Sequence, residues 1–66
     1  MAGPRFVHLT DDDRIFTFSI NIDHIVLVRD SEDPESAWVW LHGESEALKV
    51  HGSRNDVLLK IASVGL

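Results

Sequence analysis

Between residues 14 and 22 apolar and polar side chains alternate, with Phe16, Phe18, Ile20 and Ile22 at one parity and Thr17, Ser19 and Asn21 at the other. Period two is the signature of a strand with one buried face. The next run, Ile25-Val26-Leu27-Val28, is apolar at both parities and is bracketed by Asp23-His24 and Arg29-Asp30. It predicts a central strand covered on two sides, with Ile25 and Leu27 facing one way and Val26 and Val28 the other.

Residues 5–10 predict an earlier strand, entered through Pro4 from a loose lead-in at residues 1–4. Asp11-Asp12-Asp13 then reads as a hairpin turn, because aspartate tolerates turn and left-handed backbone. Asn21 to His24 lets the chain turn or bulge into the central strand, and Ser31 to Ser36, with Pro34, is a polar connection. Two further strands, residues 37–42 and 47–51, flank the hairpin loop Gly43-Glu44-Ser45-Glu46. A register with Leu41 near Leu48 and Val39 near Val50 gives those four one face; Trp38, Trp40, Lys49 and His51 share the other. Ser53 and Asp56 have capping-box spacing, followed by an apolar stripe of Val57, Leu58, Ile61 and Val64 or Leu66. This predicts a short C-terminal helix able to cover one sheet face only.

The expected fold is therefore α+β: about five short, mostly antiparallel strands in a curled sheet or partial barrel, followed by one C-terminal helix, in a single domain over residues 5–66. With 66 residues the chain is small enough that a core of this size ordinarily leans on disulfides, a metal or association. Cysteine is absent, which removes the first support and thiolate metal sites. Association is then the leading support, with a histidine site behind it.

Charge narrows the partners. Eleven acidic residues against six basic ones give −5, and the basic residues are scattered. That disfavours nucleic acid, whose non-specific binding comes from clustered Lys and Arg. No apolar run reaches the ~20 residues needed to span a bilayer, and the N-terminus lacks a signal-peptide core. The expectation is a cytoplasmic protein without a membrane partner.

Candidate chemistry is sparse. The aspartate trio lacks EF-hand spacing. His8, His24, His42 and His51 form no His-x-His or His-x3-His pair, so no metal site or other cofactor is expected. No serine sits in a nucleophile elbow and the four glycines build no phosphate loop, which points away from an enzyme unless protomers share a site.

The element order carries a resemblance. Phe6-Val7-His8-Leu9-Thr10, an alternating strand ending in Asn21, the segment Ile22-Asp23-His24-Ile25, a hairpin with Gly43, and Val50-His51-Gly52-Ser53 opening a helix with Val57, Leu58 and Ile61 resemble the small flagellar FlbD/SwrD-like proteins. The resemblance implies a cytoplasmic accessory factor for motility with no catalytic residues. Asp11-Asp12-Asp13 stands where that family has a turn glycine, the link at residues 31–36 is longer, and the paired tryptophans are outside the family pattern.

Two-faced strands with one short helix leave the apolar side chains under-covered. The function this predicts is a non-catalytic, self-associating interaction module whose partner is a second copy or another protein. Its expected contact surface is Trp38, Trp40, Phe16, Phe18, Val26, Val28, Lys49 and His51. Two rivals are a single-strand nucleic-acid binder stacking bases on the tryptophans, and an oligomer with a small-molecule site between protomers lined by Asp23, His24 or His51.

Overall fold

The computed structural model describes residues 5–65, so the lead-in expected at residues 1–4 and the helix position Leu66 lie outside the described residues. Strand β1 (Phe6–Thr10) pairs antiparallel with β2 (Thr17–Asn21), placing Val7 opposite Ile20 and Leu9 opposite Phe18. Alternation does what it predicts here: Val7, Leu9 and Ile20 are buried, while His8 and Ser19 face away.

The β1–β2 turn explains why β2 starts later than the alternating run. The Asp11 carboxylate Oδ1 accepts from the backbone N–H of Ile15 (2.7 Å) and of Phe16 (3.2 Å). The Arg14 N–H donates to the Asp11 carbonyl at 2.9 Å, with Arg14 itself left-handed at φ 61°. Residues 14–16 are thereby drawn into the turn, and Phe16 is left 64% exposed.

A 3₁₀ turn, Ile22–His24, leads to the second sheet; its cap is Asn21, whose side chain accepts from the Asp23 N–H at 3.0 Å. That sheet has the order β3 (Ile25–Asp30), β4 (Ser36–Leu41), β5 (Leu48–His51), all antiparallel. The run expected to be central is an edge strand, and β4 is the centre. Its side-chain assignment also changes, because a register irregularity between Ile25 and Leu27 inserts Val26 as an extra residue. Such a bulge flips parity. Ile25 and Val28 pack on the core, whereas Val26 (65%) and Leu27 (49%) are exposed.

The β4–β5 register pairs Val39 with Leu48, Ala37 with Val50 and Trp38 with Lys49, two residues away from the expected pairing. A shift of two preserves faces, so the division into an aliphatic and an aromatic side survives. The longer connection, with Gly43 at φ 85°, accounts for the shift.

Among the described residues the two sheets join through one isolated bridge, between Asp11 and Val50, reinforced by the Asp12 N–H donating to the Lys49 carbonyl at 3.2 Å. Among the described residues β2 and β3 share no ladder, which leaves each with a free edge.

Helix α1 (Arg54–Gly65) begins with the predicted capping box: Asp56 N–H donates to Ser53 Oγ at 3.2 Å, and Ser53 N–H donates to Asp56 Oδ2 at 3.3 Å. Gly52 precedes it at φ 114°, a conformation for glycine. The helix packs against β1, β3 and β4, burying Val57 and seating Ile61 and Val64 against the core. Leu58 falls off the expected stripe and is 43% exposed. The core (Val7, Leu9, Ile20, Ala37, Val39, Val50 and Val57) thus lies between the strands and α1, on one side only.

Candidate functional site

The opposite side of the second sheet is aromatic. Residues 38 and 40 share a parity in β4, and because Val39 and Ala37 fill the core parity, both tryptophans project outward, where α1 does not reach. Each ring carries a cation from a neighbouring strand. Arg29 of β3 lies 5.3 Å from the Trp40 ring centroid, and Lys49 of β5 lies 5.6 Å from that of Trp38. These are cation–π distances. Both rings are half-buried.

The two cations differ in their further partners. Lys49 Nζ is 3.7 Å from Asp12 Oδ2, which ties the aromatic face to the β1–β2 turn. Arg29 is in no ion pair among the described residues.

Two shallow grooves flank Trp40. One, about 400 Å³, is lined by Arg29, Trp38, Trp40 and residues 45–47 of the hairpin loop. The other, about 470 Å³, is lined by Val26, Leu27, Arg29 and Trp40, on the face shared by β3 and β4. Its walls are mostly aliphatic and aromatic. Such a surface suits contact with another apolar surface better than polar chemistry.

No family model, curated protein or solved structure matches the chain.

Of the side chains expected to form a contact surface, Trp38, Trp40, Val26 and Lys49 do lie on or beside this face. His51 has the same parity in β5 but sits opposite Ser36, at the other end of β4 from Leu41. That end is closed by residues 31–36, where the Ser31 and Ser36 hydroxyls stand 2.6 Å apart and Ser36 is buried. Phe18 and Val28 turn inward onto the core, so they cannot join the surface. Phe16 is exposed but belongs to the β1–β2 turn, and no Phe16/Phe18 row forms. The residues missed are Leu27 and Arg29. Both share the tryptophan face through the pairs Leu27–Trp40 and Arg29–Trp38, and only the bulge puts them there.

The Asp23, His24 and His51 constellation does not assemble at either groove: Asp23 instead bonds Arg5 at 3.3 Å, and the His24 carbonyl accepts from the His42 N–H at 2.7 Å. Among the described residues no three His, Asp or Glu side chains approach closely enough to hold a metal. Asp11 and Asp12 are already engaged by backbone N–H groups and Lys49. One contact that sequence reasoning did not anticipate is His8 Nδ1 with Ser19 Oγ at 3.0 Å, made by the β1–β2 register. It is exposed and lies outside both grooves. No helix of the described residues is long and apolar enough to cross a membrane.

Proposed function

We propose that this chain is a non-catalytic interaction module that associates with itself through the outer face of β3 and β4. The observation that carries the proposal is the position of the single helix. It packs on the aliphatic side of the strands, while Trp38, Trp40, Leu27 and Val26 stand on or beside the other side with no covering element among the described residues. Trp and Arg in the middle of an apolar patch are the side chains that dominate protein–protein contacts. The shallow, mostly apolar grooves suit contact with another surface better than a small-molecule reaction.

A cytoplasmic location belongs to the same proposal, and the FlbD/SwrD resemblance adds a place for such a module as an accessory factor in motility. Mass by light scattering on a sizing column, over a dilution series, tests the central point. The expected result is an integral multiple of the 7.4 kDa chain mass that falls towards one on dilution. A constant monomer mass at every concentration rejects self-association.

A further inference from the structure

We infer that the second copy packs face to face on the Trp38/Trp40 side about a two-fold axis running along β4, so that Arg29 of each copy meets Glu46 of the other. This rests on the self-association reading and specifies its geometry. Three observations carry it.

First, the apolar middle of the face is open only from above the sheet. Trp38, Trp40 and Leu27 stand on the side that α1 does not reach, and both grooves lie over that side. Stacked sheets stand about 10 Å apart, a gap that tryptophan, leucine and arginine side chains from two copies fill.

Second, the charges of this face complement themselves. Arg29 stands on the β3 flank and Glu46 on the β5 flank of one groove, with Trp38 and Trp40 between them. Neither is in an ion pair among the described residues. Lys49, the other cation on the face, is already held by Asp12. The face therefore offers one open cation and one open anion on opposite sides of an apolar middle. It is neutral in sum on a chain that carries −5, so two copies meeting here avoid the repulsion between their remaining surfaces.

Third, the height of the two charged groups along the strands selects the axis. Backbone pairing sets Arg29 beside Trp38, yet its guanidinium leans towards the next outward pair and lies 5.3 Å from the Trp40 ring centroid. That pair is about 7 Å further along the strands. Residues 45–47 lie at the same end, because Trp38 pairs with Lys49 and Val39 with Leu48. An axis parallel to β4 exchanges the β3 and β5 flanks and keeps height, so two Arg29–Glu46 pairs form, one on each side of the stacked tryptophans. An axis across the strands would lay β3 on β3 and β5 on β5. It would turn Glu46 towards Lys49, which Asp12 already neutralises, and leave Arg29 with no anion.

Two variants read this pairing between copies. Arg29→Glu and Glu46→Arg each put two like-charged contacts into a homodimer, and each is expected to raise Kd at least about tenfold. Mixed in equal amounts they regain both attractive pairs, so the mixture is expected to form a heterodimer with a Kd close to that of the wild type. Sedimentation equilibrium measures all three, with far-UV circular dichroism as the check on folding. A wild-type dimer whose Kd neither substitution changes overturns the arrangement and leaves self-association intact. So does a mixture that associates no better than the single variants. Stronger recovery when Glu46→Arg is mixed with Lys49→Glu overturns the axis. A wild-type monomer at every concentration overturns both the arrangement and self-association. The unmutated chain gives a check independent of any variant, because Trp38 and Trp40 are its only tryptophans. Acrylamide quenching of their fluorescence is expected to fall as rising concentration carries the chain from monomer to dimer. Unchanged quenching across that transition overturns face-to-face packing.

Discussion

The Arg29 guanidinium lies 5.3 Å from the Trp40 ring centroid, a cation from the edge strand resting on an aromatic ring of the central one. The pair joins two side chains that are neighbours only because β3 is bulged at Val26. It also leaves a charge without an anionic partner among the described residues in the middle of an apolar surface, which sets the expectations for that surface.

Trp40→Ala is expected to weaken self-association by on the order of 2 kcal/mol, roughly thirtyfold in Kd, as for a central aromatic anchor. Trp40 is half-buried and outside the core, so the monomer should remain folded. Sedimentation equilibrium beside far-UV circular dichroism reads both, and an unchanged Kd removes Trp40 from the interface.

Leu9→Ala should have the opposite profile. Leu9 is 0% exposed, opposite Phe18 and inside the cluster that α1 covers. Truncation of such a side chain costs about 2–5 kcal/mol. In a domain of this size that lowers Tm by at least ~10 °C, and calorimetry would show it; a shift of a degree or two would mean the core is packed differently.

Ser53→Ala removes an acceptor for the Asp56 N–H and half of a reciprocal cap. A loss of about 1 kcal/mol is expected, and Ser53→Asp should retain most of it. Equal urea midpoints for the alanine variant and the wild type would show that the cap contributes nothing.

Arg14→Gly should stabilise the chain. Arg14 holds φ 61°, a region costly for any side chain with a Cβ. Glycine relieves that cost but adds freedom to the unfolded chain, leaving a net gain of up to about 1 kcal/mol. A lower urea midpoint for this variant would show that the arginine side chain supports the turn in some other way.

A fluorescently labelled single-stranded oligonucleotide should show no change in anisotropy with this protein, even at low salt. Lys49 is engaged by Asp12, Glu46 lines the groove beside Trp38, and the chain is acidic overall. A salt-sensitive rise lost on Trp40→Ala would instead favour base stacking.

Local signals carried much of the architecture. The alternation through Phe18 and Ile20 specified which side of β2 is buried, the spacing of Ser53 and Asp56 specified where the helix starts, and the separation of Val39 and Ala37 from Trp38 and Trp40 specified two chemically different faces of β4. These depend on periods of two or on contacts within one turn of chain, which a linear sequence contains. Tertiary pairing decided the rest. A run apolar at both parities is equally compatible with a central strand or an exposed edge, and only the pairing order made β3 the edge and β4 the centre. The single inserted residue at Val26 reversed the facing of residues 27–30 relative to Ile25, sending Val28 inward and Leu27 outward. A bulge is fixed by the partner strand's hydrogen bonds rather than by the composition of its own strand, so the surface of Leu27, Arg29 and Trp40 came into existence only when β3 met β4.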